Sequence, residues 1–90
     1  MIRHLFLKLG GIIVPNIEKI ISKMIRQPNG IRFQELAKVL EYNGYKLKPN
    51  SGTSHRNFIN SYGDVITIKE ENPLKAVYVK DVLKRINIKQ

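Results

Sequence analysis

Apolar residues in the first half of the chain follow the spacing of two helices. Between positions 16 and 27 they recur three or four residues apart, which would make one side of a helix apolar. The members of this stripe are Ile17, Ile20, Ile21, Met24 and Ile25. A second stripe consists of Phe33, Leu36, Ala37 and Leu40. Turn residues at 27–30 separate the two predicted helices, and Asn43-Gly44 ends the second one.

The second half of the chain predicts three short strands and a last helix. Strand-like runs at 45–48, 55–60 and 65–69 are separated by segments rich in Pro, Gly, Ser and Asn. The last helical stripe consists of Tyr78, Val79, Val82, Leu83 and Ile86. Because the connections are short, neighbouring strands should run antiparallel. We therefore predict an α+β fold: an α-β-β-β-α arrangement with a three-stranded antiparallel sheet, helices on one face, and an extra N-terminal helix.

Composition narrows the class of protein. The length suits a single domain, predicted to span 16–90, with 1–15 as an N-terminal arm or a misassigned start. No apolar run reaches the roughly 18 residues that a membrane-spanning helix needs. There is no cysteine, which agrees with a cytoplasmic protein. Sixteen Lys and Arg against seven Asp and Glu give a net charge of +9, which favours a polyanionic partner such as nucleic acid.

The alternation of side chains along a strand predicts which residues share a face. Neighbouring residues point to opposite sides of a sheet. Phe58 is the main apolar residue of the middle strand and should face the helices together with Arg56, so His55 should face the other way. The same argument predicts that four further residues are buried: Tyr45, Leu47, Ile66 and Ile68. The face away from the helices is then predicted to hold Lys46, Lys48, His55, Asn57, Thr67 and Lys69.

A lone histidine among basic residues is a candidate for RNA cleavage. Imidazole both accepts and donates protons near neutral pH, since its unperturbed pKa is about 6.5. RNA carries its own nucleophile, the 2′-hydroxyl, so cleavage needs proton transfer more than a cofactor. His55 would act as the general base or acid. The RNA phosphates would be held by Lys46, Lys48, Lys69 and, at the rim of the sheet, Arg56. The alternative from the residues alone is an ordinary solvated sheet face with an incidental histidine.

Two other chemistries fit the sequence poorly. Ser54 and His55 are adjacent in an extended run and should point apart, which separates a serine nucleophile from its base. The only other histidine, His4, is distant in the chain, and the carboxylates lack the spacing of metal ligands. We therefore expect neither a serine hydrolase nor a metal site. A non-catalytic RNA-binding module and a structural protein with an acidic protein partner both stay open.

The same segments resemble the HicA family of toxins. The residues that carry the resemblance are Phe33-Gln34-Glu35-Leu36, Leu40-Glu41-Tyr42-Asn43-Gly44-Tyr45, Ser51-Gly52-Thr53-Ser54-His55, Phe58, Ile66-Thr67-Ile68 and Tyr78-Val79-Lys80-Asp81-Val82-Leu83. Together they cover about residues 31–86. Each piece is a weak signal by itself, whereas their order and spacing together are fairly specific.

The resemblance implies both a fold and an activity. HicA proteins are similar in fold to double-stranded-RNA-binding domains and are small endoribonucleases, or mRNA interferases, of type II toxin–antitoxin pairs. The resemblance implies that His55 is catalytic, that a turn with Gly52, Thr53 and Ser54 positions it, that no cofactor is needed, and that a HicB-type antitoxin is the partner. Two features depart from the commonest family form. The turn is one residue longer, and Lys69-Glu70-Glu71-Asn72 stands where the family often has proline and histidine.

Overall fold

The helices and strands follow the predicted order. The computed structural model describes residues 15–49 and 54–86. The helices are α1 (Pro15–Arg26), α2 (Phe33–Tyr42) and α3 (Ala76–Arg85), with a 3-10 turn at Pro28–Gly30. The strands are β1 (Lys46–Leu47), β2 (His55–Ile59) and β3 (Val65–Lys69), paired antiparallel in the order β1-β2-β3. The α+β class and the α-β-β-β-α layout with an extra first helix are therefore confirmed. Of the predicted arm at 1–15, residues 1–14 lie outside the described residues and Pro15 begins α1.

One face of the sheet and the apolar sides of the helices form a single core. Phe58, Ile66 and Ile68 from the sheet are almost completely buried in it. The ring of Phe58 lies 6.1 Å from that of Phe33 on α2, measured between ring centroids. The first helix belongs to this core through Ile17, Ile20, Ile21 and Met24. Because α1 supplies so much buried apolar surface, it is an integral part of the domain.

One of the predicted core residues is exposed. Tyr45 is buried as expected, but Leu47 is 46% exposed, so its predicted burial is wrong. Leu47 pairs with Phe58 and therefore points to the helix side of the sheet. It lies on the two-residue edge strand β1, where the layer of core residues ends. Alternation fixes the direction of a side chain, whereas burial also depends on what covers it.

The end of α2 has the hydrogen bonds of a Schellman motif. The N–H of Tyr45 donates to the carbonyl of Leu40 at 2.9 Å, and the N–H of Gly44 donates to the carbonyl of Glu41 at 3.1 Å. Gly44 has a φ of 89°, in the left-handed region that favours glycine. This turn directs the chain from α2 into β1. The predicted stop at Asn43-Gly44 is thus confirmed.

The start of α2 is stabilised by a residue far away in the chain. Arg32 is the residue before the helix and makes no side-chain cap of its own. Instead the side chain of Asn72 accepts a hydrogen bond from the N–H of Phe33 at 2.9 Å, and Glu35 accepts one from the N–H of Arg32 at 2.9 Å. Asn72 therefore performs the role that a Ser, Thr, Asp or Asn cap usually performs, and it links the segment after β3 to α2.

Replacement of Gly44 by alanine should destabilise the domain through backbone strain alone. A Cβ at position 44 would meet no heavy atom within 4 Å, so no steric clash is expected. An alanine at positive φ costs about 1–2 kcal/mol. Urea unfolding of Gly44→Ala should show this loss in the free energy of unfolding. Gly30→Ala is the matched control, since its Cβ would make only ordinary contact, 3.7 Å from Gln27; an equal loss in the control would contradict the explanation.

Candidate functional site

The strand register defines a face of the sheet that points away from the helices. The pairs are His55 with Lys69, Asn57 with Thr67 and Ile59 with Val65 between β2 and β3, and Lys46 with Ile59 between β1 and β2. Lys48 continues the first strand, because its N–H donates to the carbonyl of Asn57 at 2.8 Å. We call this surface the distal face and define it as Lys46, Lys48, His55, Asn57, Ile59, Val65, Thr67 and Lys69. It includes all six residues that the alternation predicts for it.

His55 and Lys69 are direct cross-strand neighbours on the distal face. The backbone hydrogen bonds that join β2 to β3 are made by the even-numbered residues of both strands. For example, the N–H of Glu70 donates to the carbonyl of Ser54 at 2.8 Å. His55 and Lys69 therefore form a non-hydrogen-bonded pair. In such pairs the Cα atoms lie only about 4.5 Å apart and the side chains are close. The ammonium group of Lys69 can thus act on the same bound group as the imidazole of His55.

The next row along the distal face is polar and internally hydrogen-bonded. The Thr67 hydroxyl donates to the side-chain oxygen of Asn57 at 2.6 Å. Two residues along a strand advance about 7 Å, so this row lies about that far from His55 and Lys69. Lys48 flanks the row on the β1 side. Lys46 belongs to the following row with Ile59 and Val65, at the end of the sheet farther from His55.

The charge on the distal face is of one sign. Its eight residues include three lysines, one histidine and no carboxylate. His55, Lys46 and Lys48 are exposed, and Lys69 is half-buried. Such a surface attracts an anion and can contact it with several cations at once. Among the described residues, no group of three or more His, Cys, Asp or Glu is placed to hold a metal ion.

Arg56 is separate from this cluster. It lies on the helix side of β2, and its Nε forms an ion pair with Glu70 at 2.8 Å. The predicted role of Arg56 as a phosphate ligand at the rim of the sheet stays a prediction; in the structure its guanidinium contacts the carboxylate of Glu70. Of the turn predicted to position the histidine, Ser54 is exposed beside His55, whereas Gly52 and Thr53 lie outside the described residues.

A network around Asp64 fixes the turn at the other end of β2 and β3. Its carboxylate accepts a hydrogen bond from the Tyr45 hydroxyl at 2.6 Å, and the Arg85 guanidinium contacts both oxygens at 2.9 Å. The side chain of Asn60 also accepts the N–H of Asp64 at 2.9 Å. The hydrogen bond from Tyr45 lowers the pKa of Asp64 below its ordinary value, and Arg85 lowers it further. The network ties α3 and the residue that precedes β1 to the turn.

Sequence reasoning missed two features of this region. Lys69 is predicted as one of several cations, but its position directly opposite His55 depends on a register that alternation does not specify. The link of Tyr45, Asp64 and Arg85 spans 19 and 21 residues. No local pattern signals either feature, because both arise from residues that meet only in the folded chain.

Comparison with known proteins gives no match. No family model, no curated protein and no solved structure matches this chain. Within the described ranges, no helix is both long and apolar enough to cross a membrane.

Stability should depend on the ionisation of Asp64. A carboxyl whose pKa is lowered by folding stabilises the protein above its unfolded pKa, about 3.9, and the contribution is lost as the pH falls through the folded value. Asp64→Asn should therefore lower the urea midpoint at pH 7, and the difference from wild type should shrink towards pH 2. Glu41→Gln, which changes an exposed carboxylate on α2, should leave the midpoint unchanged at both pH values. An Asp64→Asn deficit that is the same at both pH values would contradict this account.

Proposed function

We propose that this protein is a metal-independent endoribonuclease of the HicA toxin type, with a fold like that of double-stranded-RNA-binding domains. The observation that carries the proposal is the direct opposition of His55 and Lys69 on a face that holds two further lysines and no carboxylate. This arrangement places the proposed proton-transfer group, His55, beside a cation, Lys69, that can neutralise a phosphate. The resemblance of residues 31–86 to HicA proteins, and the shared α-β-β-β-α layout, support the same function.

The proposed reaction uses the 2′-hydroxyl of the RNA as nucleophile. His55, as general base, takes the proton of this hydroxyl while the oxygen attacks the adjacent phosphorus. The bond from phosphorus to the 5′-oxygen breaks, which leaves a 2′,3′-cyclic phosphate on one fragment and, after protonation, a 5′-hydroxyl on the other. Proton transfer from a positioned side chain contributes about 10²–10⁴-fold to such a rate. The reverse assignment, with His55 as the acid that protonates the leaving oxygen, uses the same geometry.

Lys69 has a separate part in the proposed reaction. Negative charge increases on the non-bridging oxygens as the 2′-oxygen attacks, and a cation held beside them stabilises this transition state. Lys69 is the described cation directly opposite His55. Lys48 and Lys46 lie in the rows about 7 and 13 Å farther along β2, where they would contact phosphates of flanking nucleotides. Arg56, which is paired with Glu70 on the helix side of β2, would contact phosphate only at the rim of the sheet.

Three proteins and one substrate pair test the proposal. Wild type should shorten single-stranded RNA in excess chelator, whereas His55→Ala should leave it intact. Lys69→Gln should retain the base but lose the opposed cation, so its rate should fall by at least about 10-fold. The same RNA with one 2′-deoxynucleotide at the cleavage site should resist cleavage there, because the nucleophile is missing.

Controls separate chemistry from folding and from a contaminating nuclease. His4→Ala removes the other histidine of the chain and Lys38→Gln removes an exposed lysine on α2; both should cleave like wild type. Cleavage at the 2′-deoxynucleotide would exclude this mechanism. If all variants bind RNA and none cleaves it, the protein is an RNA-binding module and the catalytic proposal fails.

A HicB-type antitoxin is the proposed protein partner of the distal face. Because this face is basic, the partner should present an acidic surface that covers His55. Nuclease activity titrated with a HicB-type protein encoded beside this chain should fall to zero at a fixed molar ratio. Undiminished cleavage at excess partner would rule out this inhibition, while leaving the nuclease assignment intact.

A further inference from the structure

The outer edge of β3 is a sheet edge with outward-pointing backbone groups. Since the even-numbered residues of β3 bond to β2, the N–H and C=O groups of Val65, Thr67 and Lys69 point away from the sheet. The carbonyl of Val65 accepts a hydrogen bond from Arg85 at 3.2 Å. Within the described part of the chain, no hydrogen bond occupies the outward groups of Thr67 or Lys69. Such an edge can pair with a further strand.

A groove runs beside this edge. It has a volume of about 450 Å³ and is lined by Thr67, Val77, Tyr78, Lys80, Asp81 and Lys84. All of these except Thr67 lie on α3, so the groove separates the helix from β3. Val77 is 66% exposed, so its apolar side chain is accessible in the groove. The groove thus offers backbone hydrogen bonds on one side and an apolar contact on the other.

The charge of the groove identifies the kind of segment that it suits. Lys80 and Lys84 are exposed on α3, one turn apart. The only acidic residue of the lining, Asp81, already lies 3.5 Å from the guanidinium of Arg85. The groove therefore has two lysines available to pair with carboxylates of a bound segment. Lys69 is a third lysine nearby, on the edge strand β3.

We propose that the β3 edge and the α3 groove bind an extended, acidic segment of a partner protein, which adds to the sheet as a fourth strand. Strand addition uses main-chain hydrogen bonds for affinity and side-chain contacts for specificity. A polypeptide presents N–H and C=O groups in alternation along its edge, which an RNA backbone does not. A second copy of this chain suits the groove less well, because each copy carries a net charge of +9 and would bring more lysines to it. The proposal does not depend on whether His55 cleaves RNA.

Amide hydrogen exchange of the full chain tests this proposal residue by residue. The probe is a nine-residue peptide that alternates glutamate with valine, acetylated and amidated at its ends. At saturation it should slow exchange at the outward amides of Thr67 and Lys69 by at least about 10-fold. The amides of Ile66 and Ile68, which already bond to β2, serve as internal references and should change little. The same peptide with a fully N-methylated backbone should have no effect.

Charge reversal on α3 tests the specificity for acidic residues. Lys80→Glu combined with Lys84→Glu should weaken peptide binding by at least about 10-fold, because attraction becomes repulsion. Lys19→Glu combined with Lys38→Glu has the same net charge but changes exposed lysines of α1 and α2; it should alter the affinity by less than about 2-fold. A peptide with lysine in place of glutamate should not bind.

Three results would overturn the proposal. The first is unchanged exchange at Thr67 and Lys69 with peptide at millimolar concentration. The second is slowed exchange at the amides of Thr67 and Lys69 when short single-stranded RNA is added in place of the peptide, which would make the edge a nucleic-acid site. The third is protection of the same amides by the protein's own association at high concentration, which would assign the edge to a second copy.

Discussion

Burial of Phe58 on one side of the central strand constrains the other side chains of the sheet. With Phe58 against Phe33 in the core, the pleat turns His55 and Asn57 to the opposite side. The residues that pair with them on β1 and β3 must then face the same side. If the pairing register between the strands shifted by one residue, Ile66 and Ile68 would point into water. A single apolar requirement at the centre of the sheet therefore fixes the position of the candidate catalytic histidine.

Three acidic residues of the domain are paired with basic residues outside the distal face. Glu35 binds Lys23 at 3.2 Å, Glu70 binds Arg56, and Asp64 binds Arg85. All three pairs lie away from the distal face. A net charge of +9 spread evenly over a surface would give only a diffuse attraction. Because these carboxylates are engaged elsewhere, Lys46, Lys48 and Lys69 remain without acidic neighbours among the residues that define the face.

The two edges of the sheet differ in what stands beside them. β1 has only two residues and is preceded by the turn at Gly44, whose hydrogen bonds return to α2. β3 is longer, and α3 lies next to it across a groove. A short edge strand offers little backbone for pairing, whereas a five-residue edge offers enough for a stable added strand. The proposed strand addition therefore fits the β3 edge better than the β1 edge.

The sequence by itself determined the element types, the α+β class and the face to which each strand residue points, since these follow from local periodicity and from the turn chemistry of residues such as Gly44. It also predicted His55 as the candidate proton-transfer group. Only the tertiary structure decided that Lys69 opposes His55, that Leu47 is exposed, and that Arg56 is paired with Glu70. It likewise supplied the cap of α2 from Asn72 and the network of Asp64. The physical reason is that register, edge position and long-range hydrogen bonds depend on which segments meet, and neighbouring residues in the chain carry no information about that.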